Sequence, residues 1–245
     1  MGKHMCGHLM AAGHSASVFS RTASKCAPLV EQGARLASSP REAAEDADVV
    51  FTMVGAPSDV ESVILNDDGV LSGLKAGSLL IDCTTSTPSL AVTIAAWAAA
   101  QGVLTLDAPV SGGDVGAKAA KLSIMCGGSE AAMTKATPLL ELLGTNILHM
   151  GGPGAGQHTK MCNQILACSN MIGVAESLRY ATAAGLDAHK VVDAIGAGAA
   201  GSWAMQNGPH TGDAIAEAYG ERMKSEYAHF KASPAKFDQF VGAEL

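Results

Sequence analysis

The sequence predicts an α/β chain in two parts, a doubly wound parallel sheet over residues 1–150 and an all-helical domain over residues 151–245. Three observations carry this. Short apolar, β-branched runs alternate with helical segments through the first part, which is the βαβ rhythm of a parallel sheet. Helix starts are marked by capping residues, independently of hydrophobicity. After Gly151-Gly152-Pro153-Gly154-Ala155-Gly156 the rhythm stops and a long, nearly uncharged segment begins.

In chain order, Gly2 opens an amphipathic helix that Gly13 ends, and Ala16–Phe19 reads as a strand leading into Ser20, Arg21 and Thr22. Ser39 ahead of Pro40 and Glu42, and Ser58 ahead of Glu61, read as capping boxes, and Thr87 ahead of Pro88 starts another helix. Further strands are expected at Val49–Met53, Leu79–Asp82, Leu104–Asp107, Leu122–Cys126 and Ile147–His149. The segment from Gln157 to Gly185 reads as one long buried helix, followed by another from Ala188 to Ile195. The more polar stretch from Gly208, with Pro209 and Pro234, carries no assignment.

Composition narrows the function. Hydrophobic residues make up 48% and charged residues 16%, which excludes a disordered chain. A net charge of −7 without a compact basic patch argues against nucleic acid and against an anionic membrane surface. No run is long and apolar enough to span a bilayer. Residues 1–20 lack the apolar core and cleavage site of a signal peptide. Six cysteines without a CxxC pair read as reduced thiols in the cytoplasm, or in an organelle such as the mitochondrion if a longer precursor exists. His4 and His8 lie one helical turn apart but lack a third ligand, so they read as surface histidines and no metal site is expected.

A sheet whose first crossover binds a dinucleotide begins strand, Gly-x-Gly-x-x-Gly, helix. Gly2 is placed like the third glycine, so the sheet reads as a Rossmann type lacking its first strand. Arg21 then follows the strand that meets the adenosine ribose. A carboxylate there would grip the ribose hydroxyls, whereas an arginine meets a 2′-phosphate, so Ser20, Arg21 and Thr22 point to NADP, with NAD as the second candidate.

Two further constellations carry chemistry. Lys160, Asn163 and Gln164 share one face of an apolar helix with a glycine-rich start. They read either as a snorkelling lysine with two amides satisfying loops, or as a site that a substrate can approach closely. Asp107-Ala108-Pro109-Val110-Ser111-Gly112-Gly113 ends a strand, where open sheets place ligands. Ser111 offers a hydroxyl, and Gly112 and Gly113 bare N–H groups, to a substrate carboxylate; the alternative is a tight turn. Asp107 reads as a structural acceptor.

LDAPVSGG (Leu106–Gly113), GAGQHTKMCNQI (Gly154–Ile165), IDCTTSTP (Ile81–Pro88) and AGHSASVFSRT (Ala12–Thr22) occur in the order and spacing of one family. From Met1 to Trp203 the sequence resembles the β-hydroxyacid dehydrogenases, in particular the 3-hydroxyisobutyrate dehydrogenase-like and glyoxylate/succinic semialdehyde reductase branch. The resemblance implies hydride transfer between NADP(H) and a small hydroxy acid or semialdehyde. It implies Lys160 as general acid/base, with Asn163 and Gln164 beside the substrate carboxylate. Thr85 and the turn Val54-Gly55-Ala56, where the family often has Leu-Pro, would pack around the nicotinamide ribose. Family members commonly self-associate through the helical domain, so a full-length chain is expected to be a homo-oligomer. The resemblance also implies a GxGxMG loop, of which Met1-Gly2 would be the end, and later helices of which Tyr219–Phe230 alone resembles a part. The rival expectation is a catalytically impaired remnant, or a non-enzymatic interaction module of the same fold.

Overall fold

Helix α1 (Gly2–Ala11) ends where the sequence puts its stop. Gly13 takes φ +95°, its N–H bonds to the Met10 carbonyl, and the His14 N–H reaches back to Leu9. This pairing satisfies the last carbonyls of the helix. The computed structural model describes residues 1–207; Gly208 onward, including Tyr219–Phe230, lies outside the described residues. Contacts divide the chain into two units, Met1–Asn163 and the part from Gln164 on.

In the first unit, strand β1 (Ser17–Val18) is followed by a 3-10 turn (Ala23–Cys26), helix α2 (Ala27–Val30) and strand β2 (Arg35–Leu36). Helix α3 (Pro40–Ala44) starts as Ser39 dictates, its Oγ accepting the Glu42 N–H at 3.1 Å. After strand β3 (Val49–Thr52), helix α4 (Pro57–Leu65) corrects the expected cap at Ser58. Pro57 takes the first helical position, where its fixed φ and missing N–H belong, so the N-cap is Ala56. Asp59 closes this end, its Oδ2 accepting the Ala56 N–H at 3.2 Å. Helix α5 (Val70–Gly73), strand β4 (Leu79–Asp82) and helix α6 (Pro88–Ala100) follow, the last capped by Thr87 as expected. Strands β5 (Leu104–Asp107) and β6 (Val110–Ser111), helix α7 (Gly113–Lys118), strand β7 (Leu122–Gly128), helix α8 (Glu130–Leu140) and strand β8 (Gly144–Gly151) complete the series.

Strands β1 and β2 pair in parallel as a sheet of their own, while β3, β4 and β5 pair in parallel in a second sheet that continues through β7 to β6 and β8. Parallel order therefore holds as far as β5. Strand β6 returns into β7 through α7 alone, a connection shorter than a parallel crossover requires, and β6 and β7 pair antiparallel. Helix α8 supplies such a crossover, and β7 and β8 pair in parallel.

The second sheet is covered on both faces. Leu79 and Ile81 of β4 join Leu106, Leu122, Ile124, Ala136 and Leu140 in one core cluster. Leu80, pointing the other way, joins Val60, Ile64, Ile94 and Ala98 in another. Burial on both faces is why these strands read as continuous apolar runs. Each fully buried large side chain contributes about 1.5–3 kcal/mol.

Helix α9 (Ala155–Ala183) enters the second unit at Gln164. Gly185, at φ +74°, follows the end of this helix as expected. Asp187 then caps α10 (Ala188–Gly196), its Oδ1 accepting the His189 N–H at 2.9 Å, and α11 (Trp203–Asn207) follows. Val174 and Leu178 pack with Val191, Ile195, Ala204 and Met205. The expectation of a helix buried along its length is corrected among the described residues: α10 and α11 pack on the stripe of Val174 and Leu178, while Ile165, Leu166 and Tyr180 are exposed.

Candidate functional site

Three polar residues end the parallel strands in register: Thr52 of β3 pairs with Asp82 of β4, and Asp82 with Asp107 of β5. All three are buried, at the carboxyl edge where open α/β sheets bind ligands. Thr52 Oγ1 donates to Asp82 Oδ1 at 2.7 Å, which also accepts the Thr84 N–H at 3.1 Å. Burial raises the Asp82 pKa despite these bonds. Thr84 Oγ1 accepts the Val54 N–H at 3.0 Å, so the turn Val54-Gly55-Ala56 and the turn around Thr85 are tied together. Gly55 and Thr85 are exposed, Val54 and Ala56 half-buried. A Cβ at Gly55 would sit 2.9 Å from Asp59 Oδ2, so a side chain there would need the Asp59 carboxylate to shift.

Asp107 is the structural acceptor that the sequence suggests. Its Oδ1 accepts the Gly154 N–H at 2.7 Å and its Oδ2 the Gln157 N–H at 2.8 Å, so it holds the start of α9. Burial nevertheless pushes its pKa up to about 6. The packing here leaves no room for side chains. A Cβ on Gly156 would lie 2.4 Å from the carbonyls of Asp107 and Met125.

Lys160 sits on α9 in the first unit, 7% exposed, and its Nζ donates to the Val110 carbonyl at 2.7 Å. Burial lowers its pKa. The structure thus brings Lys160 to the strand that carries Ser111. That strand is β6, which the sequence does not separate from β5. Ser111 is half-buried, and Gly112 and Gly113 are exposed at φ +128° and +62°, values that suit glycine. Asn163 is half-buried at the end of the first unit, and Gln164 is the first residue of the second.

Ser20, Arg21 and Thr22 follow β1, in the other sheet. Arg21 does not stand free: its Nη1 and Nη2 donate to Asp59 Oδ1 and Oδ2 at 2.6 and 3.3 Å, so its guanidinium is held at the start of α4. This end-on fork leaves the Nε edge of an exposed guanidinium for another anion. Gly2 lies against Met53, and an added Cβ would meet Met53 Cβ at 3.5 Å, an ordinary contact, so close packing alone does not require glycine there. His4 and His8 correct the surface reading. Both are half-buried against α7, His8 donating to the Ala117 carbonyl at 3.0 Å and His4 lying 3.5 Å from Asp114 Oδ1. Cys83 and Cys126 are buried and their thiols are pushed up, Cys126 to about 12, which leaves them unreactive near neutral pH.

Sequence reasoning missed Asp59, Asp82 and Gln157. The signals were an acid in the first turn of a helix, an acid ending an apolar strand, and an amide inside a glycine-rich helix start. A dinucleotide fits these strand ends on one further observation. Ser86 Oγ, beside Thr85, is a buried side-chain polar atom with no hydrogen-bond partner, and an incoming polar group would satisfy it.

An open sheet covered on both faces, with β3, β4 and β5 parallel and polar groups gathered at their carboxyl ends, defines a dinucleotide-binding domain of the Rossmann type. Residues 1–152 match the family model of the NAD binding domain of 6-phosphogluconate dehydrogenase, and residues 154–222 match that of the NAD-binding region of NADP-dependent 3-hydroxyisobutyrate dehydrogenase. The chain belongs to the β-hydroxyacid dehydrogenase family. It is 51% identical over 203 residues to a probable mitochondrial 3-hydroxyisobutyrate dehydrogenase-like protein of Arabidopsis thaliana, covering 82% of this chain and 60% of that one. It is 42% identical to an NAD-dependent L-serine dehydrogenase of Pseudomonas aeruginosa, covering 84% of this chain and 69% of that one. The structure superposes on Mycobacterium tuberculosis 3-hydroxyisobutyrate dehydrogenase with L-serine at a TM-score of 0.76 and 35% identity, covering 84% of this chain and 70% of that one. Among the described residues no helix is long and apolar enough to cross a membrane.

Proposed function

We propose that this chain serves reversible hydride transfer between NADP(H) and a small hydroxy acid or semialdehyde of the 3-hydroxyisobutyrate, 4-hydroxybutyrate or glycolate type. The observation that carries the reading is a buried ammonium, Lys160, held beside the strand of Ser111. The nicotinamide supplies the hydride when bound. Lys160 exchanges a proton with the substrate oxygen; its lowered pKa makes that exchange easier near neutral pH. Ser111, Gly112, Gly113, Asn163 and Gln164 hold the substrate carboxylate. Gly2, the turn Val54-Gly55-Ala56 and Thr85 flank the cofactor, and Ser20, Arg21 and Thr22 meet its 2′-phosphate. The exposed Ile165, Leu166 and Trp203 support self-association, and six free thiols support a reducing compartment, cytosolic or mitochondrial.

Lys160→Ala tests the reading. Turnover should fall by roughly 10²-fold or more while cofactor affinity holds. Turnover within about threefold of the parent would remove the lysine from the mechanism.

One observation favours a second reading, an impaired or non-catalytic relative: β1–β2 and β3–β5 form two separate sheets, so the elements assigned to the cofactor do not share one frame. NADPH that raises the thermal midpoint of the chain supports the first reading, and no shift at millimolar NADPH supports the second.

A further inference from the structure

Gln157 is 1% exposed, yet it neither belongs to the apolar core nor has a place in hydride chemistry. Its carboxamide uses both ends. Nε2 donates to the Thr84 carbonyl at 2.8 Å, and Oε1 accepts the Ser86 N–H at 2.8 Å. The two bonds flank Thr85, the exposed residue assigned to the cofactor, and they fix the backbone of Ser86, whose hydroxyl has no partner. The main chain of Gln157 is held as firmly, its N–H donating to Asp107 Oδ2 at 2.8 Å. The Lys160 side chain follows one helical turn later and ends on the Val110 carbonyl. One residue thus joins the turn after β4, the end of β5 and the start of α9. The contact pattern requires an amide: a carboxylate of the same size cannot donate to Thr84, and an apolar side chain serves neither neighbour.

We propose that Gln157 is a positioning residue that fixes the turn at Thr85 relative to Lys160, so that the bound cofactor and the acid/base keep one separation. The inference rests on the hydride-transfer reading and on Thr85 as a cofactor contact. Hydride transfer depends steeply on the separation of the reacting atoms, and a misplacement of about 1 Å costs on the order of 10²-fold in rate. Gln157 touches neither substrate nor cofactor in this scheme, so its loss should appear in kcat and leave binding nearly intact.

The test compares the full chain with Gln157→Glu and Gln157→Met. It measures kcat, KM, NADPH affinity and the primary isotope effect with NADPH deuterated at the transferred position. The expected result is a kcat lower by roughly 10- to 100-fold in both variants, a larger isotope effect, and KM and NADPH affinity within about threefold. An active parent and a folded Gln157→Glu with parental kcat and isotope effect would overturn the inference and leave the hydride-transfer reading standing. A parent with neither NADPH binding nor turnover overturns both. If neither variant folds, amide exchange in the parent decides. Ser86 and Gln157 amides that open together support the tie, and a Ser86 amide exchanging at the rate of a free turn overturns it.

Discussion

At the residue scale, burial moves two ionisable groups, Lys160 and Asp107, in opposite directions. Lys160 is driven toward neutrality and Asp107 toward its protonated form. Asp107 gives a pH prediction with a definite sign. Its folded pKa of about 6 lies above an unfolded value of about 3.9, so the native state keeps its proton to higher pH. The stability this contributes is fully present below about pH 3.9 and is lost as pH rises through about 6. Urea unfolding of the parent and of Asp107→Asn, compared between those two pH values, should show the parent losing on the order of 2–3 kcal/mol relative to the variant. A difference that does not change with pH would mean that the carboxyl titrates normally. Arg21 gives a prediction on cofactor choice. A charge-assisted bond to a 2′-phosphate contributes about 1.5–3 kcal/mol, so Arg21→Ala should weaken NADPH binding by roughly 10- to 100-fold and leave NADH binding nearly unchanged. Equal losses for the two nucleotides would show that Arg21 serves Asp59 alone.

Secondary elements were legible where one strong local signal set them, and illegible where pairing did. Leu79–Asp82 and Leu104–Asp107 are apolar runs ended by an acid, and the strands observed there have the expected bounds. Strands β2 and β6 are two residues each and exist because a neighbour supplies their hydrogen bonds, so no run of residues announces them. Proline outranked serine at the start of α4 because Pro57 fits only the first helical position. The site follows the same division. Its motifs are contiguous and readable, but the bonds that join them span 38 residues between Arg21 and Asp59 and 71 between Ser86 and Gln157, distances that no local pattern encodes. The start of α9 also yields a test of packing. Gly156 lies so close to the Asp107 and Met125 carbonyls that an added methyl must displace backbone. Gly156→Ala should therefore cost about 1–3 kcal/mol or more in chemical denaturation. A cost below about 0.5 kcal/mol, ordinary for a surface site, would mean that α9 shifts freely.

At the scale of the whole molecule, the sheet is divided between β1 and β3, where a Rossmann-type sheet has its first strand. Strand β1 pairs only with β2, and β3 only with β4, so each keeps one edge without a strand partner among the described residues. Such edges leave backbone donors and acceptors to water and offer themselves to other chains. They also leave Arg21 joined to the cofactor-side turns by its bonds to Asp59 rather than by a continuous ladder. A strand pairing with both would join the two sheets, and glycines following it would bring the N-terminus of α1 to a pyrophosphate. The expected outcome of fusing an apolar strand and Gly-x-Gly-x ahead of Met1 is therefore a higher thermal midpoint together with NADPH binding at least tenfold tighter, about 1.4 kcal/mol, than that of residues 1–245 alone. Isothermal titration of the two polypeptides measures the difference directly. A fused protein that gains stability without affinity would show that the edges serve folding but not the anion site. One that gains neither would show that the two-sheet arrangement is the frame this chain uses.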